Sequence, residues 1–158
     1  MEIGKRKKVM QNKKADIEKL LKEGNTIQLK PRGYSMYPLF IPGRDEAVIA
    51  PADPAKLKRG DVVLYRRETG ILVLHRICRR KKEGFYMVGD NQTEIEGPLK
   101  ETQIKGILVA FVRNGRYTEV THPFYRITSR IWLFLRPWRH PIMDVCGKVK
   151  KMVRSIIN

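Results

Sequence analysis

From residue 26 to residue 120 the chain is a succession of short segments rich in β-branched residues, separated by Gly, Pro and charged turns. Seven such segments are legible, at 26–30, 47–50, 61–66, 71–79, 85–88, 104–113 and 117–120. Each is bounded in the way strands are bounded. Glu68-Thr69-Gly70 and Lys82-Glu83-Gly84 read as hairpin connections, and Asn114-Gly115 is a strong two-residue hairpin signal. Strands at this spacing predict a mainly β domain, compact, antiparallel and partly closed. A chain of 158 residues is long enough to bury a core of this kind, and one domain is the default for it.

Two flanking tracts have a different texture. Residues 1–24 begin as a basic arm carrying Lys5, Arg6, Lys7, Lys8, Lys13 and Lys14. The arm becomes helical near residues 15–21, where Ile17, Leu20 and Leu21 recur at i, i+3 and i+4, and Gly24 supplies the stop. This short helix either docks a partner or packs against the core. The β domain then occupies 25–121 and a basic amphipathic tail 122–158. In the tail, Ile131-Trp132-Leu133-Phe134-Leu135 is too short to cross a bilayer, and Pro137 limits any helix through it. Beyond Pro141, Ile142, Val145, Val149, Met152, Val153 and Ile156 fall on one helical face, with Lys150, Lys151 and Arg154 on the other. Tryptophans, arginines and a basic amphipathic helix together read as an interfacial membrane-binding segment. The same face could instead cover the β domain or a partner subunit.

Composition narrows the partners. The net charge of +17 calls for something anionic: nucleic acid, an anionic membrane surface or an acidic polypeptide. Cys78 and Cys146 lie far apart without CxxC spacing, and three histidines accompany them. That pattern disfavours a zinc site and fits a reduced compartment or an incidental pair. No metal and no cofactor is called for. No stretch approaches the ~18 apolar residues of a membrane span, and there is no apolar core of a secretory signal. The expected location is peripheral to a membrane or cytoplasmic.

The chemistry concentrates in Gly33-Tyr34-Ser35-Met36-Tyr37-Pro38, just after the first strand. Gly33 tolerates φ > 0 and Pro38 fixes φ, so a tight turn there can expose the Ser35 hydroxyl beside backbone N–H groups. Access and an oxyanion hole are what a nucleophilic serine needs. Three further segments follow in order: Arg59-Gly60-Asp61-Val62-Val63-Leu64-Tyr65, Val73-Leu74-His75-Arg76-Ile77 and Val88-Gly89-Asp90-Asn91. With Ser35-Met36-Tyr37-Pro38 they resemble the four boxes of the type I signal peptidase family and the LexA-like self-cleaving repressors, over about residues 25–120.

In bacterial signal peptidases and LexA-like proteins a lysine stands at the third box. Here His75 stands there, which resembles the histidine-using branch of the endoplasmic reticulum, archaea and some Gram-positive bacteria. The resemblance implies a signal-peptidase/LexA-like β fold and a serine endopeptidase cleaving a leader or signal-like segment from a polypeptide. Ser35 would be the nucleophile and His75 its base, a ring whose ordinary pKa suits proton exchange near neutrality. The third member stays open: Asp90 in its box, Glu96 six residues on, or Glu94. Gly33, Met36, Tyr37 and Pro38 would shape the substrate groove. Because Gly33 carries no hydroxyl, the oxyanion donor must be backbone, with the Ser35 N–H first in line.

Two other classes stand beside this one. A LexA-like self-cleaving regulator is disfavoured by the short N-terminal tract, by His75, and by the lack of an Ala-Gly or Cys-Gly dipeptide before Ser35. Nucleic acid is disfavoured with it. A non-catalytic membrane- or nucleic-acid-binding module on the same fold would have no use for an intact Ser35 and His75.

Overall fold

The computed structural model describes residues 10, 11 and 16–157, so Lys5, Arg6, Lys7, Lys8, Lys13 and Lys14 of the basic arm lie outside the described residues. Its strands are β1 (Met10–Gln11), β2 (Ile27–Leu29), β3 (Asp45–Ala50), β4 (Val62–Arg66), β5 (Leu72–Lys81), β6 (Gly84–Val88), β7 (Glu96–Leu99), β8 (Ile104–Arg113) and β9 (Arg116–Glu119). The helices are α1 (Ile17–Lys22), α2 (Pro123–Phe134) and α3 (Arg139–Ile157). All nine strands join one sheet in the order β1-β2-β3-β8-β4-β5-β6-β7, with β9 added to β8. Every pairing is antiparallel except the two-residue match of β1 to β2.

The seven predicted strands correspond to β2–β6, β8 and β9, and the Asn114–Gly115 turn sets Arg113 opposite Arg116. The sheet is open where a partly closed one was expected: among the described residues no pairing joins its two margins. The margins explain this. At one end β7 carries Pro98, which has no N–H for a further neighbour, and at the other β1 contributes two residues among those described.

Period-two alternation explains how one sheet serves two cores. On β4, Val62 and Leu64 join Leu21, Ile27, Met36, Phe40, Ile49, Leu74, Leu108 and Phe111 on one face. Val63 and Tyr65 join Leu57, Ile77, Phe85, Met87, Leu99 and Ile104 on the other. The continuous apolar run of β4 is thus buried on both sides.

Of the two readings of the N-terminal helix, core packing is what is observed. Asp16 caps α1 by accepting from the Glu18 and Lys19 N–H groups at 3.1 and 3.3 Å. Leu21, 2% exposed, then enters the first core.

The tail begins at Pro123 as α2, breaks where Pro137 sits in a 3₁₀ turn (Arg136–Trp138), and resumes as α3. The two faces of α2 differ from those of an ordinary surface helix. Ser129 and Leu133 are buried against the domain, while Phe124, Ile127, Ile131 and Phe134 stand exposed on the opposite face. On α3, Val145, Val149, Met152 and Val153 are exposed as well. Ile156, Lys150, Lys151 and Arg154, also assigned to the two faces of this helix, have side chains outside the described set. No helix among the described residues is long and apolar enough to cross a membrane.

Candidate active site

The Ser35 turn follows β2 directly. Gly33 has φ +81°, a conformation a side chain would strain, and the Tyr37 N–H then donates to the Tyr34 carbonyl at 3.0 Å. Met36 and Phe40 anchor the segment by burying their side chains in the first core. Its far end is held by buried Asp45, which accepts from the Ile41 N–H at 2.8 Å and from Arg44 and Arg113. Those contacts outweigh the burial that opposes ionisation and hold the Asp45 carboxyl down at about 2.

Ser35 and His75 line one cleft of about 460 Å³, together with Gly33, Met36, Arg67 and Gln92. The third and fourth boxes meet the first here. Asn91 donates its N–H to the Ser35 carbonyl at 2.7 Å. Gly89 lies so close that a Cβ on it would stand 2.6 Å from the same carbonyl oxygen, which explains a glycine at that position. Pro38 faces a different groove, of about 1070 Å³, with Leu39, Tyr117 and Phe124, and Tyr37 lines neither cavity.

His75 sits opposite Val63 in the β4–β5 register, and Tyr65 sits opposite Val73. His75 and Tyr65 are therefore diagonal neighbours on one face of the sheet. The Tyr65 hydroxyl lies 3.1 Å from His75 Nδ1 and donates to Glu96 Oε2 at 2.8 Å. Arg67 grips the same carboxylate in bidentate fashion at 2.8 and 2.6 Å. Burial opposes ionisation of Glu96, but the hydrogen bonds from Arg67 and Tyr65 prevail and hold its carboxyl below the usual range. Burial and the neighbouring Glu96 push the Tyr65 phenol up, so it keeps its proton.

Asp90 is placed elsewhere. Arg76 follows His75 on β5 and so points to the opposite face, where it is fully buried against Asp90. Its guanidinium donates to both Asp90 oxygens at 2.9 and 2.8 Å. Among the described residues, none of the hydrogen bonds of Asp90 goes to His75. Of the three acids weighed for the third position, Glu96 is the one joined to His75, and the joint is a tyrosine. Sequence reasoning missed Tyr65, the last residue of the second box, and Arg67, two residues beyond it; strand alternation plus the 68–70 hairpin was the signal that could have found them.

The tail also reaches the site. Trp132 donates its indole N–H to the Asp90 carbonyl at 2.7 Å, and Arg136 donates to the Thr93 carbonyl at 2.7 Å. Arg139, 1% exposed, donates to the carbonyls of Gly89 and Gln92 at 2.8 and 2.9 Å and to that of Trp132. Loop 89–93 is thus clamped between Ser35 and the junction of α2 and α3. Cys78 donates weakly to the Tyr86 carbonyl at 3.2 Å and is distant in role from this cluster. No group of three or more metal-ligating side chains occurs among the described residues.

His75 is 3% exposed, and that burial pushes its pKa down to about 4 although the charge of Glu96 pulls it up. In an unfolded chain the same ring titrates near 6.5. A depressed folded value means that the stability from keeping the ring neutral is full above pH ~6.5 and is lost as pH falls from there to about 4. The gap corresponds to about 3 kcal/mol. Urea unfolding at intervals between pH 7 and 4 will show wild type losing about that much more stability than His75→Gln; parallel losses would contradict the assignment.

No protein-family model matches the chain, and searches of curated proteins and of solved structures find no match either.

Proposed function

We propose that the protein is a serine endopeptidase that removes a leader or signal-like segment from a polypeptide while docked on an anionic membrane surface. The observation that carries this reading is the meeting of Ser35, His75 and the Gly89-Asp90-Asn91 turn at one cleft. Ser35 Oγ attacks the scissile carbonyl, and His75 Nε2 takes the hydroxyl proton and returns it to the leaving amine. Water then hydrolyses the acyl-enzyme with His75 as base again. The Ser35 backbone N–H, with no side-chain donor at Gly33, faces the oxyanion.

Cleavage requires the substrate to lie extended. Among the described residues the pairing of β1 ends at Gln28, and the stretch from Leu29 to Gly33 lines the cleft, so a strand added along it would lead into the site. Docking on lipid is supported by the outward apolar face of α2, flanked by exposed Arg126 and Arg130, and by a net charge of +17.

The test is cleavage of a diverse library of extended peptides, alone and with vesicles of phosphatidylglycerol or phosphatidylcholine. Wild type is run beside Ser35→Ala and His75→Ala. Site-specific cuts present in wild type and absent from both variants, faster on the anionic vesicles, support the reading. Fragmentation of the wild-type chain itself in place of the peptides would replace it with a self-cleaving regulator.

A further inference from the structure

The hydroxyl between His75 and Glu96 has one proton, and its destination fixes the state of the histidine. Glu96 is held ionised by Arg67, so it can accept but not donate. Were the Tyr65 proton turned toward His75 Nδ1, two oxygens, one of them anionic, would face each other at 2.8 Å without a hydrogen between them. The proton therefore lies on the Glu96 side, and the oxygen presents a lone pair to Nδ1 across 3.1 Å. Nδ1 must supply the hydrogen.

From this geometry we infer that Tyr65 is a positioning residue, which locks His75 as the Nδ1–H tautomer and links its ring to the Glu96 carboxylate. The inference deepens the peptidase reading and rests on it for its catalytic consequence, though the tautomer itself does not. The Nδ1–H form leaves Nε2 as the only basic nitrogen of the ring, the one that takes the Ser35 proton. When His75 becomes an imidazolium, its Nδ1–H strengthens its bond to Tyr65, and Tyr65 strengthens its bond to Glu96, with no proton leaving either residue. Positive charge on a buried ring is thereby stabilised by a carboxylate that never touches it. The acid that a Ser-His pair needs beside its histidine is here reached through a phenol, and Arg67 keeps that acid ionised.

Two measurements decide it. In ¹⁵N-histidine spectra of the wild type, with the His75 signals assigned by their loss in His75→Gln, Nδ1 carries the hydrogen near neutral pH. In Tyr65→Phe, which removes one oxygen and keeps the ring, His75 shifts toward the Nε2–H form. In peptide cleavage, Tyr65→Phe lowers kcat by about 10- to 100-fold with little change in KM, the scale of one lost hydrogen bond to a charged group. The acid limb of its kcat/KM profile moves to lower pH, because the imidazolium has lost its acceptor; a merely structural tyrosine would leave that limb in place.

A wild-type His75 in the Nε2–H form overturns the inference, as does a Tyr65→Phe enzyme with unchanged kcat and an unmoved limb. Should Tyr65→Phe fail to fold, the wild-type tautomer alone decides. Should wild type show no cleavage that depends on Ser35, the peptidase reading falls, while the spectra still decide whether Tyr65 sets the histidine.

Discussion

Asp90→Ala lowers the unfolding free energy by about 3–5 kcal/mol, because it leaves a fully buried guanidinium without its counter-charge. Arg76 is 0% exposed and its bidentate partner is Asp90, so water cannot take over the lost contacts. The Gly60 carbonyl, which also accepts from Arg76 at 2.7 Å, does not neutralise the charge. Arg76→Ala has a similar cost, since it strands the carboxylate instead. A double replacement, Arg76→Met with Asp90→Leu, recovers more stability than either single alanine variant, because neither member of the bidentate pair is left without the other and Arg139, 4.0 Å from Asp90, keeps its carbonyl acceptors. Urea unfolding of the four chains measures this. Equal cost for the double variant and the sum of the singles would contradict it. Glu96→Gln, by contrast, changes a half-exposed carboxylate at a sheet margin, keeps the fold and slows cleavage. The pair of outcomes separates an acid that holds the fold from one that serves His75.

Arg139→Ala loosens loop 89–93 from the tail, leaving the hydrogen bonds from Trp132 and Arg136 to hold it. One side chain there donates to three carbonyls, of Gly89, Gln92 and Trp132, and its loss removes a charged donor from each, although the Gly89 carbonyl keeps the Gln92 N–H at 3.0 Å. The cost is about 3 kcal/mol or more by the scale of hydrogen bonds from a charged donor. Its local signature is faster hydrogen exchange at the Asn91 N–H, which donates to the Ser35 carbonyl. Cleavage falls with it, because loop 89–93 is what packs on the backbone of Ser35. Unchanged exchange at Asn91 would show that Arg139 is dispensable to the site.

Much of this arrangement was legible in the residues. Alternation and hairpin signals placed seven strands, and the Ser35 turn and His75, paired in the sequence only through the resemblance of their boxes, line one cleft. β7 was not legible, because Gly97 and Pro98 look like a turn and its pairing to β6 is irregular in register. Glu96 could therefore be counted along the chain but not placed beside Tyr65. Asp90 was misleading for a related reason. Whether an acid in the fourth box meets His75 or Arg76 depends on which face of β5 it lies against, and residue spacing is silent on that. The tail was legible as amphipathic, but its hydrogen bonds to loop 89–93 come from Trp132, Arg136 and Arg139, and tryptophans and arginines in this tract read from composition as membrane-interfacial.

The most direct test of Ser35 and His75 as a catalytic pair is the single-turnover rate on the best-cut library peptide for wild type, Ser35→Ala and His75→Ala, each checked for an unchanged fold. Both variants will fall by about 10⁴-fold or more, and combining them will cost little beyond either alone, as for residues acting as one unit. A folded Ser35→Ala or His75→Ala chain that cuts within tenfold of wild type would contradict the account.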